Sequence, residues 1–258
     1  MSKNLKRNLV AYGLVLPAFL VVMLTVAYPI VLAVIQSFQD SKTGEFTLDN
    51  YTYFFTEPAQ LKNILYTLYV CLMTVAIAIV VAYLLALYLR FVRSKIAKTI
   101  GTLYLVPRFV PAMCAVYAMI TIIRDSGLIN RIGLVFGHDV KLGLMYHANG
   151  MIMMNLWFNI PFAALMITAG LGAIPDSIIE GARDVGASKF KVFTSMILPL
   201  SIKDVVVAAT FVFMSNVGSF TTPYLMGGSA PKMLGIALFD QFNKYLAYNR
   251  SAALSVIM

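Results

Sequence analysis

The sequence predicts an all-α integral membrane protein with about six transmembrane helices, the sixth of them truncated. Of its 258 residues, 60% are hydrophobic and only 12% are charged, whereas an average soluble domain has about 25% charged residues. So few charges cannot cover the surface of a water-soluble protein of this size. The 17 Phe and 14 Tyr, with abundant aliphatic residues, exclude a disordered chain. Apolar stretches of about 20 residues, each long enough to cross a bilayer, recur along the chain.

The first predicted span covers residues 10–38 and follows the basic start Met1-Ser-Lys-Asn-Leu-Lys-Arg. This start resembles the basic region of a signal peptide, but no small-residue cleavage site follows where one is expected. We therefore expect an uncleaved first helix. Pro17 and Pro29 are expected to kink it unless neighbouring groups satisfy the freed carbonyls, although such prolines are also ordinary in transmembrane helices.

Charge-free stretches place the remaining spans at residues 64–89, 99–123, 142–173, 205–226 and 251–258. The third is interrupted by Pro107, Arg108 and Pro111. The last is too short to cross a bilayer, so we expect a sixth helix that is truncated here or continues beyond this sequence. The polar connection at 40–62 is expected to hold a short interfacial helix.

The distribution of basic residues predicts that the N-terminus is cytoplasmic. With that orientation the inner segments carry eleven basic and four acidic residues, and the outer segments carry eight basic and seven acidic residues. Arg108, inside the third span, completes the net charge of +9. An excess of Lys and Arg marks cytoplasmic loops, so the charge indicates a membrane protein rather than one that binds nucleic acid.

The loop at 174–204, between the fourth and fifth spans, has the pattern of a helix, a tight turn and a second helix. We expect Asp176 or Ser177 to cap the first helix after Pro175, and Gly186 to end it in a left-handed conformation. Ser188 can cap the second helix. Each helix has an apolar stripe, and these stripes comprise Ile178, Ala182 and Val185 in the first helix and Phe190, Phe193, Met196 and Ile197 in the second. We expect Pro199 to end the second helix.

The sequence of this loop resembles a motif of a known protein family. Glu180-Gly181-Ala182, followed by Gly186 and by Leu198-Pro199, is similar to the EAA loop of permease subunits of binding-protein-dependent bacterial ABC importers. Gly181 and Met196 depart from the family pattern of Glu-Ala-Ala, three residues, Gly, nine residues and Ile-x-Leu-Pro. Neither departure removes the helix, turn and helix.

The resemblance implies a type I ABC importer permease fold in the bacterial plasma membrane. It implies that the loop forms the coupling helix that docks in a groove of a cytoplasmic ATPase. The implied partners are a second permease subunit in a heterodimer, two ATPase subunits and an external substrate-binding protein. It implies no cofactor and no enzymatic activity in this chain, with ATP and Mg²⁺ in the ATPase subunits. The implied ATPase contacts are Glu180, Gly181, Ala182, Arg183, Asp184 and Gly186.

The end of the fifth span narrows the resemblance to a group of permeases. Residues 211–228 and 250–255 are similar to permeases for spermidine and putrescine, iron(III), thiamine, opines or aminoethylphosphonate, more than to sugar permeases. A polyamine is therefore the first expectation for the substrate. Ser219 stands where polyamine permeases often carry an acidic residue, and no Asp or Glu lies within the predicted spans.

Arg108 and several uncharged polar residues are candidates for lining the translocation path. A charge inside a span is expensive and often functional, so Arg108 indicates a path for an anionic or zwitterionic solute. Alternatively it lies close enough to the inner headgroups to reach them. The polar candidates, which alternatively join helices to one another, are Asn155, Trp157 and Asn159 in the fourth span and Ser215, Asn216, Ser219, Thr221 and Thr222 in the fifth.

Two other classes of protein compete with this hypothesis. An ion-coupled secondary transporter or channel would be expected to carry acidic or His residues within its spans. A membrane enzyme would need a set of catalytic side chains, and none is visible. Cys71 and Cys114 lie in apolar stretches, and His138 and His147 lack the neighbours of a metal site, so neither a disulfide nor a metal is expected.

Overall fold

The computed structural model describes the backbone of residues 3–258 and the side chains of residues 12–258. Within this range the regular elements are helices, and the pairing of Gln39 with Phe46 is an isolated bridge. The all-α class is therefore confirmed. The helices are α1 (Lys3–Val22), α2 (Tyr28–Ser37), α3 (Asp49–Thr56), α4 (Pro58–Phe91), α5 (Lys95–Leu103), α6 (Ala112–Ile123), α7 (Leu128–Val135), α8 (Ala148–Gly172), α9 (Asp176–Asp184), α10 (Lys189–Val192), α11 (Leu198–Val217), α12 (Thr221–Met226), α13 (Leu234–Phe239) and α14 (Tyr248–Ile257).

The described residues contain five helical segments long and apolar enough to cross a membrane. They are Tyr12–Ser37, Pro58–Phe91, Ala112–Val135, Ala148–Gly172 and Lys189–Val217. The chain divides into two compact units, one formed by the chain up to Leu61 together with Ala237–Met258, and the other by Lys62–Ile236.

In the first unit, α14 packs against α2 and α3. The Nδ2 atom of Asn249 donates to the carbonyl of Gln39 at 2.6 Å. The guanidinium of Arg250 lies 4.1 Å from the centroid of the Tyr53 ring, within the range of a cation–π interaction. These contacts fasten α14 to the end of α2 and to α3, the helix that occupies the expected place in the polar connection.

The second unit contains a buried core in which alanines are prominent. Small residues allow helices to approach closely, and α8 and α11 lie side by side. The hydroxyls of Tyr83 and Ser201 hydrogen-bond at 2.9 Å across this core. The core residues are Ala78, Ala82, Tyr83, Ala86, Ala163, Ala164, Ile167, Leu171, Ile174, Ile179, Ala182, Val192, Ile197, Ala208 and Val212.

The third span differs from its predicted bounds of 99–123. α5 ends at Leu103, a 3-10 turn occupies Val106–Phe109, and α6 begins only at Ala112. The physical reason is the pair of prolines at 107 and 111, which lack the backbone N–H of a continuing helix. The membrane-length segment therefore starts at Ala112 and reaches Val135.

The prediction that Pro199 ends a helix is wrong. α10 continues through a π-turn at Phe193–Ile197 directly into α11, with Pro199 in the first turn of α11. Pro29 likewise follows a π-turn, at Met23–Ala27. A π-turn widens the helix, so the proline ring can be accommodated without the usual clash with the preceding turn.

The fifth and sixth predicted segments are also corrected. The range 205–226 is interrupted, because α11 ends at Val217 and the short α12 starts at Thr221. α11 begins before residue 205, so Asp204 lies inside this helix, whereas it was predicted to lie in loop 174–204. The segment 251–258 belongs to α14, which starts at Tyr248.

Candidate functional site

Loop 174–204 forms the expected helix, turn and second helix, and Gly186 makes the turn. Its φ angle of +84° is in the left-handed region. The N–H of Gly186 donates to the carbonyl of Arg183 at 2.8 Å, and the N–H of Ala187 donates to that of Ala182 at 3.0 Å. These two bonds are the Schellman arrangement that ends many helices. The cap on α10 is confirmed as well, because Ser188 Oγ accepts from the N–H of Lys191 at 3.3 Å.

Only part of each predicted apolar stripe is buried in the protein. Ile179 and Ala182 are the buried residues of α9, while Val185 is 85% exposed. In the second helix Phe190 is 75% exposed and Ile197 is buried. Ile174, just before α9, is buried in the same core as Ile179 and Ala182, so the side of α9 that carries these two residues faces the protein.

The residues with an implied ATPase contact fall into two groups. Ala182 is buried in the core, so its side chain seats α9 on the second unit. The others are exposed on the opposite side of α9 or in the turn after it, and they are Glu180, Gly181, Arg183, Asp184 and Gly186. The exposed group includes both signs of charge, as expected of a surface that meets a partner through polar contacts.

The start of the loop is held by Arg90, which the sequence had placed only among the positive inner charges. The prediction that Asp176 or Ser177 caps α9 is wrong, because Pro175 occupies the cap position and no side chain caps the helix. Asp176 instead forms an ion pair of 2.6 Å with Arg90. The Arg90 guanidinium also donates to the carbonyls of Leu171 and Ile174, at 3.3 Å and 3.2 Å. Nothing in the local sequence around either residue signals this pairing, which joins positions 86 apart in the chain.

The structure brings four of the candidate path residues together between α8 and α11. Asn159 Nδ2 donates to the carbonyl of Asn155 at 2.7 Å and to Asn216 Oδ1 at 3.4 Å. Ser215 Oγ donates to Asn159 Oδ1 at 3.2 Å. Asn155, Asn159 and Asn216 are buried. The amide nitrogen Nδ2 of Asn155 has no hydrogen-bond partner in the described part of the chain. An unpaired buried amide is costly, so this polar cluster (Asn155, Asn159, Ser215 and Asn216) retains an unused donor.

The remaining candidate path residues lie outside this cluster. Trp157 is 43% exposed on α8. Ser219 is in the break between α11 and α12, and Thr222 is buried in α12 beside the half-buried Thr221.

Arg108 occupies the 3-10 turn between α5 and α6 rather than a membrane helix. Its guanidinium lies 5.0 Å from the centroid of the Phe162 ring on α8, and that ring meets Phe211 on α11 edge-on. Across residues 12–258 no ion pair of Arg108 with a carboxylate is found.

No group of three or more His, Cys, Asp or Glu side chains is placed to hold a metal among the described residues. Cys71 and Cys114 are free thiols. In the connection between α7 and α8, a hydrogen bond from Lys141 is the main cause of a lowered pKa of the Asp139 carboxyl, and the same bond raises the pKa of Lys141.

The sequence matches a family model over residues 59–258, and that family is described as the binding-protein-dependent transport system inner membrane component. The chain belongs to this family. The permease is 25% identical over 214 residues to the spermidine/putrescine transport system permease protein PotB of Escherichia coli (strain K12), covering 83% of this chain and 78% of the relative. It is 28% identical over 273 residues to the sulfoquinovosyl glycerol transport system permease protein SmoG of Agrobacterium fabrum (strain C58 / ATCC 33970), covering 99% and 87%.

Solved structures place the permease in the type I ABC importer fold. A chain of a bacterial alginate ABC transporter in complex with an alginate pentasaccharide-bound periplasmic protein superposes with a TM-score of 0.84 at 17% identity, covering 99% of this chain and 90% of that one. A chain of the MetNI methionine ABC transporter superposes with a TM-score of 0.56 at 20% identity, covering 77% and 86%. The role as an inner membrane component of a binding-protein-dependent transport system rests on the family match, and the solved structures add the fold.

Proposed function

We propose that this permease forms half of the translocation path of a binding-protein-dependent importer and couples it to ATP hydrolysis in separate subunits. Its partners are a second, different permease subunit, two cytoplasmic ATPase subunits with bound ATP and Mg²⁺, and an external substrate-binding protein. In this proposal ATP is bound and hydrolysed in the ATPase subunits and not in this chain, whose N-terminus is cytoplasmic. The observation that carries the proposal is the compact α9–Gly186–α10 projection within a family of transport components.

The proposed ATPase contacts are the exposed residues of loop 174–204. Glu180, Arg183 and Asp184 offer charges of both signs, and Gly181 leaves α9 without a bulky side chain between them. Ala182 contributes indirectly, because its buried methyl group holds α9 against the core. The exposed Val185 and Phe190 supply apolar area beside the turn.

This assignment is tested by reconstitution in liposomes with the partner subunits. Uptake is expected only when both ATPase subunits are present. Glu180→Lys is expected to remove the ATPase from the purified complex while leaving membrane insertion intact, because the new charge repels the former partner group. Lys141→Gln, in the outer connection, is the matched control and should keep both. Uptake by the chain without any ATPase would contradict the proposal.

We propose that the path runs beside the polar cluster of α8 and α11, with Trp157, Ser219, Thr221 and Thr222 as further lining positions. The unused Nδ2 donor of Asn155 supports this placement, because a passing polar solute could accept its hydrogen bond. The transported solute is small and polar or charged, and a polyamine is the first candidate since several relatives are named for spermidine and putrescine. Aminoethylphosphonate, opines, thiamine and iron(III) are the alternative candidate substrates.

One observation favours an anionic or zwitterionic solute instead. Arg108 carries a positive charge against Phe162 with no carboxylate to neutralise it in the described residues, and such a charge would repel a polycation entering the path. Arg108→Gln separates the two candidates in the reconstituted importer. Spermidine uptake should be unchanged or faster if a polyamine is the solute, whereas aminoethylphosphonate uptake should fall if Arg108 attracts the solute. Calorimetry of the binding protein with both compounds provides an independent answer.

A further inference from the structure

We propose that Arg90 is a positioning residue that makes α9 move with α4 and α8, so that displacement of loop 174–204 by an ATPase reaches the membrane helices. The proposal rests on the proposed docking role of that loop. It adds a transmission element that lies outside the docking surface, and it assigns this role to a side chain in the last turn of α4.

One guanidinium reaches three acceptors that belong to different parts of the fold. Nε donates to the carbonyl of Leu171 at the end of α8, at 3.3 Å. Nη2 donates to the carbonyl of Ile174 in the connection, at 3.2 Å, and to Asp176 Oδ1 at the start of α9, at 2.6 Å. The side chain therefore joins the ends of three helices at one point.

The electrostatics of these helix ends favour the same arrangement. The carbonyls at the C-terminus of α8 carry a partial negative charge, which suits the Arg90 cation, and the free N–H groups at the N-terminus of α9 suit the carboxylate of Asp176. Pro175 provides no side-chain cap for α9. The start of this helix is instead held by the ion pair between Asp176 and Arg90.

The bonds of Arg90 lie next to buried, closely packed side chains. Ala86 of α4, Leu171 of α8 and Ile179 of α9 belong to one buried cluster. The side chain of Arg90 is only 20% exposed whereas that of Asp176 is 53% exposed, so water competes less for the bonds of Arg90 to the two carbonyls than for its bond to Asp176. A close-packed interior deforms little, and α9 therefore cannot shift alone while these bonds hold.

Neighbouring basic residues do not share this arrangement. Arg93, Lys95 and Lys98 follow Arg90 on the same side of the predicted membrane, and in the described part of the chain none of them forms an ion pair. A bias toward positive inner charge explains all four residues equally. This bias does not explain why Arg90 is bonded to three acceptors, whereas a positioning role does.

The test uses the complete importer with its binding protein, reconstituted in liposomes. Arg90→Ala is expected to keep the co-purified ATPase and the basal hydrolysis rate, while solute imported per ATP falls at least about fivefold, the lower range of a typical coupling between sites. Arg90→Lys should show most of the same loss, because one ammonium cannot replace a planar group with several donors. Asp176→Ala should lower uptake per ATP, and Asp176→Asn should restore much of it by retaining an acceptor for Nη2.

Lys141→Ala is the control, since it breaks the exposed ion pair with Asp139 in another connection and should leave uptake per ATP unchanged. Unchanged uptake per ATP in the Arg90 variants would overturn the proposal. Loss of the co-purified ATPase in Arg90→Lys, as expected for Glu180→Lys, would also overturn it, because Arg90 would then act on docking. If the unaltered chain bound no ATPase, the proposed function itself would fail. That result can be told apart from the two outcomes that overturn the role of Arg90, because those are seen only in the variants.

Discussion

Gly186 shows what a single residue contributes to loop 174–204. Its positive φ is strained for any residue with a Cβ atom, although the space around it is open, with nothing within 4 Å of where a Cβ would lie. The cost of a substitution there is therefore a backbone cost alone. Gly181 is also open to solvent but sits inside α9 with ordinary helical geometry, so the two glycines form a natural pair for comparison.

We expect Gly186→Ala to destabilise the permease by about 1–2 kcal/mol, the penalty for an L-residue in the left-handed conformation. Gly181→Ala should instead stabilise α9 by about 0.5–1 kcal/mol, because alanine loses less backbone entropy in a helix. Thermal unfolding of the detergent-solubilised protein measures both changes. Equal shifts in the two variants would contradict the assigned turn.

Residues whose role depends on the local chain were predicted correctly. The left-handed Gly186 and the Ser188 cap each follow from a few neighbouring residues, and both are confirmed. Asp176 was misassigned as a cap because its partner, Arg90, is distant in sequence. Val185 was placed on the same apolar stripe as Ala182 but is exposed, because a helical period alone does not determine which side of α9 faces the protein.

At the scale of elements, the contact between α8 and α11 depends on a glycine. A Cβ at Gly170 would lie 2.6 Å from the Cβ of Asp204 and closer still to its carboxylate. Real Cβ atoms do not approach so closely, so either the side chain of Asp204 or the helix would have to move. Gly172, two residues later at the end of α8, has nothing within 4 Å.

Gly170→Ala is therefore expected to lower the free energy of unfolding by about 1–3 kcal/mol, the usual cost of overpacking. Gly172→Ala should have little effect and serves as its control. Adding Asp204→Ala to Gly170→Ala should recover most of the loss if the carboxylate is the obstacle. Unfolding curves of the three variants decide this, and a double variant no more stable than Gly170→Ala would rule out the carboxylate as the obstacle.

The helices themselves were predicted better than their ends. Three of the five membrane-length segments, Tyr12–Ser37, Pro58–Phe91 and Ala148–Gly172, overlap predicted spans closely, because apolar composition alone is enough to recognise them. The third span was misplaced because Pro107 and Pro111 were read as interruptions of one helix rather than as the boundary between two. At Pro199 the reverse occurred, since the π-turn at Phe193–Ile197 allows the helix to continue.

For the whole molecule, the distribution of charge predicts the orientation in the membrane. When the N-terminus is placed in the cytoplasm, the inner segments carry eleven basic and four acidic residues, a net charge of +7. The outer segments carry eight basic and seven acidic residues, a net charge of +1. The loop that carries the proposed ATPase contacts then lies on the cytoplasmic side, where ATP is available. Orientation and proposed function are consistent.

Single cysteines in a chain lacking Cys71 and Cys114 test this orientation. Ser41→Cys, in the connection after α2, should react with a membrane-impermeant maleimide in intact cells from which any outer membrane has been removed. Lys189→Cys, at the start of α10, should react only after the membrane is opened. Both positions are exposed, so a difference reports the side of the membrane. The opposite pattern would reverse the assigned topology.

Composition, periodicity and short motifs were sufficient for the all-α membrane class, for the first, second and fourth spans and for the turn of loop 174–204. Each of these depends on interactions within about 20 residues of chain or on the partitioning of apolar segments into lipid. The tertiary structure was needed for the Arg90–Asp176 fastening, the polar cluster of Asn155, Asn159, Ser215 and Asn216, and the buried face of α9. These features join residues tens of positions apart, and their partners follow from the packing of helices against one another, which no local pattern records.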